Sequence, residues 1–385
     1  MVTRSTLCEK VTAFRANRWL LCAVLLITLM AGLDPKDYRF RNEVTWIGDA
    51  PGLRFGTFGR VHTGPFITPS QATILNRDGF TIEAMLTLAS KEGGAFRTLA
   101  TFHDGDDRSQ LVLGQWRDHF IVMNGDDYSH RRRLPRITAD TSQHETGRVL
   151  LTITTGARGT RIYLNGKESA ANARLRLSLP SGARSGRLTI GNSIGANSPW
   201  GAEVFGFAVY STPLAPQAVA RHYIEWAERR DSSLGKVDDP FVLYAFNEAG
   251  GIQARDQSAH RAHLEIPARL VAIGGRALAP LSIESDNRGS AIADMTLNLF
   301  GFVPFGFLLA ASLGRSSRSK WQVLLLATAA GLLLSLFIEV IQAWLPSRDS
   351  SQRDVLLNTA GTLLGALVVG ACGGERASNR KVSPP

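Results

Sequence analysis

Carboxylates and amides recur at fixed spacing inside the apolar stretches of the last quarter of the chain. Asp294-x-x-x-Asn298-x-x-Gly301 opens one stretch and Asp354-x-x-x-Asn358-x-x-Gly361 opens another. Residues four apart share a helix face, so each pair stacks an acid against an amide. A third stretch carries Glu339 and Gln342, three apart and again on one face, with Arg348 in the polar segment that follows. Asp294, Asn298, Glu339, Gln342, Arg348, Asp354 and Asn358 therefore form a candidate membrane polar pocket, with Arg348 as the expected partner of Glu339. Such a set could hold a polar headgroup. It could also do general acid–base work, with Glu339 as acid or base and Asp294 or Asp354 as its partner. It could serve only as interhelical glue, worth ~0.6 kcal/mol per hydrogen bond. A proton relay or transport path would need a polar line reaching the other side, and the far halves of these stretches are apolar.

The elements that must carry these residues are apolar runs at 19–33, 291–313, 321–345 and 354–372. A spanning helix needs ~20 apolar residues, with a range of ~17–25, which the last three satisfy. The first is shorter and competes with an export signal. No small-x-small site follows it, so it is expected to be an uncleaved anchor. Basic flanks set the orientation: Arg4, Lys10, Arg15 and Arg18 before the first run, Arg315, Arg318 and Lys320 between the second and third, and Arg376, Arg380 and Lys381 in the tail. The segment 346–353, expected outside, is basic as well and dissents mildly. The expected order is a cytoplasmic segment 1–18, helix 19–33, an extracytoplasmic domain 40–270, a linker 271–290, a membrane domain 291–372 and a cytoplasmic tail 373–385.

The chain has 385 residues, 43 Lys and Arg against 33 Asp and Glu, and 44% hydrophobic residues, which excludes long-range disorder. Its 3 cysteines are Cys8, Cys22 and Cys372, so a disulfide scaffold is excluded for the middle of the chain. No CxxC or HExxH pair supports a zinc site.

The middle reads as β structure. Alternating runs lie at 80–88, 99–103, 110–116, 119–124, 149–154, 160–164, 187–191 and 203–210, divided by Gly-, Asn- and Asp-rich turns. Asn165-Gly166 marks a tight hairpin, and a helix is expected over 216–230 from the spacing of Val219, Ala220, Tyr223 and Trp226. Two acidic loops, one with Asp104, Asp106 and Asp107 and one with Asp126 and Asp127, are weak Ca²⁺ candidates. The same residues are what hairpin tips need. Gly191-Asn192-Ser193-Ile194-Gly195 fits a GxSxG pattern but lacks the strand–turn–helix setting of a nucleophile elbow. All eight His lie in this region, none at metal or triad spacing, with His260 and His263 expected on the surface. Arg131-Arg132-Arg133 reads as a solvated loop that could meet anionic glycans or headgroups.

Phe80-Thr81-Ile82-Glu83-Ala84, Arg161–Lys167, Leu188–Asn192 and above all Phe205–Leu214 resemble a laminin-G-like, concanavalin A-like domain covering about 50–230. The resemblance implies a jelly-roll sandwich and glycan or protein binding, with Ca²⁺ in some members. Leu243–Glu248 with Asp256–Ser258 looks like the opening of such a domain placed after its end; it is expected to close the same sandwich as an extra strand, with a truncated second copy as the alternative. Asp294–Gly306, Ser335–Arg348 and Asp354–Gly361 resemble the VanZ-like family over about 290–372. That resemblance implies a bacterial cell-envelope role linked to glycopeptide tolerance, though the large inserted β domain departs from the family's pattern. The fold class expected is an all-β concanavalin A-like jelly-roll sandwich plus a bundle of four transmembrane helices in the bacterial cytoplasmic membrane. The partners expected are the lipid bilayer, an extracytoplasmic glycan or protein and a lipid-linked envelope precursor, with no nucleic acid. A membrane enzyme acting on that precursor is the alternative.

Overall fold

The computed structural model describes residues 18–33, 41–92, 94–105, 109–128, 130, 133–144, 147–228, 238–270, 273, 277–278, 288–314, 318–345 and 350–379. Asn165 and Gly166 take left-handed φ values of 50° and 76° and turn the chain back on itself, as a two-residue hairpin whose twist matches its strands requires. Positive-φ residues recur at other turns along the middle of the chain. In order, the elements there are β1 (Val44–Trp46), β2 (Leu53–Phe55), β3 (Val61–Thr63), β4 (Phe80–Leu86), β5 (Arg97–His103), β6 (Gln110–Trp116) and β7 (His119–Asn124). They continue as β8 (Arg136–Asp140), β9 (Val149–Gly156), β10 (Gly159–Leu164), β11 (Lys167–Asn172), β12 (Arg187–Ile190), β13 (Glu203–Tyr210), β14 (Pro240–Tyr244), β15 (Gln253–Ala254) and β16 (Leu264–Glu265).

These strands form two eight-stranded sheets. One runs β1-β2-β13-β4-β9-β10-β11 with β14 also on β13, and the other runs β15-β16-β3-β12-β5-β6-β7-β8. Phe80, Ile82, Phe102, Leu111, Phe120, Leu151, Leu188 and Phe207 fill the space between them. This is the two-sheet sandwich expected from sequence, with open edge strands on both sheets, so the roll is not closed. Residues 240–265 join both sheets: β14 lies antiparallel to β13 and β16 lies antiparallel to β3. They complete one sandwich, as expected, and do not begin a second.

The first sheet is apolar on its outer face too, because a helix covers it. That helix is Pro216–Glu228, and its Val219 and Trp226 pack on Met85, Leu150, Phe205, Ala208 and Tyr210. A second helix, Pro69–Asp78, was not expected; Thr68 and Gln71 form its capping box and Pro69 sits in its first turn. In chain order the helices are α1 (Arg18–Leu33), α2 (Pro69–Asp78), α3 (Pro216–Glu228), α4 (Arg288–Gly301), α5 (Val303–Leu313), α6 (Lys320–Gln342) and α7 (Gln352–Asn379).

Contacts divide the chain into the sandwich, Arg39–Gly274, and a helical unit made of Met1–Tyr38 and Gly275–Pro385. Among the described residues of the helical unit, three stretches are long and apolar enough to cross a membrane: Ile292–Leu313, Lys320–Gln342 and Gln352–Ala371. The expected fourth is corrected. α1 has 16 residues, or about 24 Å against a hydrocarbon core of roughly 30 Å. α1 packs through Leu21, Val24, Leu25, Leu29 and Leu33 around Phe302, Phe305 and Ile338. The first long stretch breaks at Phe302, two residues before Pro304, where a ring nitrogen removes one helical hydrogen bond. The outward faces are apolar: Leu297, Phe300, Leu325, Leu333, Phe337, Leu356 and Leu364 are all exposed. A surface of that kind is suited to lipid and not to water.

Candidate functional site

The face of α6 that carries Gly331, Ser335 and Glu339 has a four-residue repeat and turns toward α7. Ser335 and Glu339 are buried, whereas Phe337 and Val340 between and beside them are exposed. On α7, Ser351, Asn358 and Thr362 supply the partners. Ser351 caps that helix by accepting the Arg353 amide on its hydroxyl (3.0 Å). Its own N–H donates to Glu339 Oε2 (2.7 Å), and the Ser350 hydroxyl also reaches this carboxylate. A carboxylate thus meets the positive end of a helix dipole. One turn deeper, Asn358 Nδ2 donates to Ser335 Oγ (2.9 Å), and Thr362 Oγ1 donates to the Asn358 carbonyl (2.9 Å).

The polar layer is closed at its deep end. A Cβ at Gly331 would lie 2.3 Å from Thr362 Oγ1, and one at Gly306 would lie 2.1 Å from the Thr362 carbonyl oxygen. The helices touch there with no room for a side chain, and beyond it Ala310, Val323, Ala327 and Ala366 are packed together. From Glu339 to Gly331 is eight residues, so the polar layer is about 12 Å deep. Above Glu339, Gln342 Nε2 donates to the Gly32 carbonyl (2.6 Å), one of the end-of-helix acceptors that α1 cannot satisfy itself.

The structure sets Glu339 and Asn358 at the contact of α6 with α7 and Gln342 against α1, with Asp354 half-buried and near enough to act on Glu339 electrostatically. It does not bring in Asp294, which is exposed, and Asn298 is only half-buried. Arg348, the expected partner of Glu339, lies outside the described residues. The repeat is therefore unequal: Asn358 is buried and bonded, and a Cβ at Gly361 would lie 1.9 Å from the Leu299 carbonyl oxygen, while Gly301 faces open space. Sequence reasoning missed Ser335, Ser350, Ser351 and Thr362. Ser335 was open to detection, four residues before Glu339 on the same face. Among the described residues of the helical unit, Asn358 Oδ1 is buried and has no hydrogen-bond partner, and the same holds for Thr328 Oγ1.

The weak Ca²⁺ candidates fare differently. Asp127 is buried and engaged: its Oδ2 accepts the Leu134 amide (3.0 Å) and pairs with Arg136 (3.3 Å). Asp104 and Asp126 are half-buried. Asp106 and Asp107 lie outside the described residues, as do Arg131 and Arg132. Among the described residues no group of three or more His, Cys, Asp and Glu could hold a metal ion. Ser193 of the GxSxG pattern is buried and bonded through Oγ to Asn197 Oδ1 (2.7 Å), so it is not a poised nucleophile. His260 is exposed, as expected, and His263 is half-buried with Nδ1 accepting the Asp256 amide.

Residues 240–372 match the VanZ/LLP1 family model, and residues 62–220 match that of the concanavalin A-like lectin/glucanase superfamily (laminin G type). The first match begins at β14, so it takes in strands that the structure places in the sandwich. No curated protein matches the chain. Among solved structures, the chain is similar to the binding domain of botulinum neurotoxin serotype D/C VPI 5993, with 13% identity and a TM-score of 0.37 over 49% of this chain. It spans 46% of that binding domain's length. It is also similar to the Ruminococcus gnavus IT-sialidase CBM40 bound to α2,3-sialyllactose, with 11% identity and a TM-score of 0.34 over 45% of this chain and 96% of that one.

Proposed function

We propose that this chain, a VanZ-like membrane domain joined to a laminin-G-like, concanavalin A-like sandwich, is a multi-pass envelope protein of the bacterial cytoplasmic membrane. In this reading the sandwich stands outside the cytoplasm and engages a glycan or protein. The helices hold a polar pocket for the headgroup of a lipid or lipid-linked envelope precursor. The orientation rests on the basic segments flanking the apolar runs. The pocket rests on one observation above the others: among the described residues Asn358 Oδ1 is buried with no donor, next to a bundle level where Glu339 is also buried. An acceptor sealed from water without a donor is costly, and a ligand hydroxyl or amine would supply what it lacks. The closed level at Gly306, Gly331 and Thr362 supports a site with one mouth and speaks for binding over passage.

The test uses the full chain in nanodiscs of phosphatidylethanolamine and phosphatidylglycerol doped with undecaprenyl phosphate, read by native mass spectrometry. The wild type should retain a lipid that Asn358→Leu and Glu339→Gln release. Equal retention by all three proteins overturns the pocket. A cysteine placed at exposed Ser211 should react with a membrane-impermeant maleimide in intact cells, and protection until lysis overturns the orientation.

A further inference from the structure

Helix α3 is fastened to the outer face of the first sheet by buried charge as well as by apolar packing. Glu83 on β4 is fully buried, opposite Thr152 on β9 and Ala208 on β13. Its carboxylate accepts Trp226 Nε1–H (2.9 Å), Thr152 Oγ–H (3.2 Å) and His222 Nδ1–H (3.1 and 3.2 Å). Gly206 makes room for this arrangement, because a Cβ there would lie 2.1 Å from the Trp226 ring. The other ring nitrogen of His222, Nε2, faces Asp238 Oδ2 at 3.0 Å. Asp238 lies two residues before β14, and it also accepts Arg221 Nη2–H (2.5 Å).

We propose that His222 is a pH-sensitive clasp that holds Asp238 and the start of β14, where the VanZ/LLP1 match begins, against the lectin-like sandwich. An imidazole with both nitrogens facing carboxylates can satisfy both only when it carries both protons. After losing one, it keeps a single N–H. Glu83 has no access to water and holds that proton on Nδ1; the Nε2 lone pair then opposes Asp238. Asp238 has the alternatives of solvent, at 30% side-chain exposure, and Arg221. The weak side of the clasp is therefore Asp238, and Glu83 remains closed.

The groups facing His222 from each neighbouring element support this sign. On β4 it meets Glu83, on β13 the Tyr210 ring at 5.1 Å, on its own helix Arg221 and Glu225, and on the chain before β14 Asp238. Burial alone would lower the His222 pKa; the hydrogen bonds and charges of Glu83 and Asp238 outweigh it and raise it. Asp238 is lowered by His222 and Arg221 against its partial burial. Burial and then Glu83 push Tyr210 up, so it stays a neutral phenol. A raised histidine stabilises fully below its unfolded value of about 6.5 and loses that contribution as pH rises through the folded value. The clasp is thus shut in acid and loosens toward alkaline pH.

Hydrogen exchange of the full chain in detergent, corrected for intrinsic rates and followed from pH 5.5 to 9, tests this at the amides of residues 241–244 against 80–86 on β4. In the wild type, exchange at 241–244 should rise about tenfold across one titration step, the worth of one charge-assisted hydrogen bond, while 80–86 stays protected. His222→Gln should be loose at every pH. Asp238→Asn should keep β14 docked at every pH, because an amide N–H can donate to neutral Nε2. Flat exchange in the wild type overturns the clasp. A step that survives in Asp238→Asn does so too, and that variant decides the matter if His222→Gln fails to fold.

Discussion

Glu83 in the sandwich and Glu339 among the helices are both buried carboxylates, and they are served in opposite ways. Glu83 draws its donors from side chains far apart in sequence: Thr152, Tyr210, His222 and Trp226. Glu339 draws chiefly on the backbone amide of Ser351, at the mouth of the next helix, with the Ser350 hydroxyl beside it. A sheet places residues from many strands side by side through its register, so side chains can converge on one point. A helix end offers unpaired amides without needing any side chain. The difference teaches which of the two acids is replaceable. An amide in place of Glu339 still accepts from Ser351, whereas removal of Glu83 strands the donors of Thr152, Tyr210, His222 and Trp226 under α3.

The largest effect expected from that contrast is Glu83→Ala. Breaking a buried charged pair by removing one partner costs about 3–5 kcal/mol, and the sandwich should unfold at correspondingly lower denaturant. Glu339→Gln should shift the unfolding of the helical unit by only about 1 kcal/mol, the scale of one hydrogen bond. Parallel urea titrations reporting strand and helix signals separately would check the pair. Equal losses would mean that the backbone amide of Ser351 is as demanding as the side chains around Glu83.

A smaller effect separates the two arms of the repeat. Gly361→Ala puts a methyl 1.9 Å from the Leu299 carbonyl oxygen, which is backbone and cannot swing away. Overpacking of this kind costs about 1–3 kcal/mol. Gly301→Ala meets nothing within 4 Å and should be neutral or stabilising by up to ~1 kcal/mol through helix propensity. Matched thermal melts in one detergent would show whether equal spacing in sequence hides unequal packing.

Those contrasts also explain what could be read from the sequence. Glu339 was conspicuous because a charge within an apolar run has no ordinary reason to be there. Glu83 was not, because Thr81 and Glu83 alternate with Ile82 and Ala84 as on any strand with a wet face. Only the docking of α3 makes that face dry, and its partner His222 stands 139 positions away. The histidines therefore looked ordinary by spacing. Asp294 misled for a related reason: helix periodicity places it above Asn298 but does not say which way that face turns, and the break at Phe302 lies between it and the buried part of the bundle. Strands 110–116, 119–124 and 203–210 were legible to the residue, since each is a short, almost continuously buried run with polar or turn-forming residues at its ends. The three-residue strands β1 to β3 carry too few residues for any period to show.

Two histidines of the sandwich extend the comparison to pH, with opposite signs. His103 accepts the Gly105 amide on Nδ1 (3.2 Å) and is bonded to Thr189 Oγ1 through Nε2 (2.9 Å), so neither nitrogen has a carboxylate. Burial, with Arg187 and Arg60 adding repulsion, lowers its pKa to about 3. It folds neutral, so its contribution is full above about pH 6.5 and is lost as pH falls toward about 3. His103→Gln should flatten the acid limb of a stability-against-pH curve, and His222→Gln the alkaline limb. Melting temperatures at half-unit steps from pH 4.5 to 9 would resolve the two. If both variants flattened the same limb, the role assigned to one of these rings would be wrong.

The smallest expected effect concerns the join between α1 and α6. Gln342 Nε2 donates to the Gly32 carbonyl, and a Cβ at Gly32 would lie 2.9 Å from Ile338 Cγ2. Gln342→Leu removes the donor but keeps the bulk, so it tests the hydrogen bond alone, worth about 0.6 kcal/mol among membrane helices. Gly32→Leu tests the close approach and should cost more, because the clash is with a branched side chain held in the Phe302–Phe305 cluster. Cross-linking between cysteines placed on α1 and α6 in the full chain would report both. If Gln342→Leu loosened α1 more than Gly32→Leu, α1 would be held chiefly by its capped end. The opposite order would make α1 a packed member of the bundle despite its length.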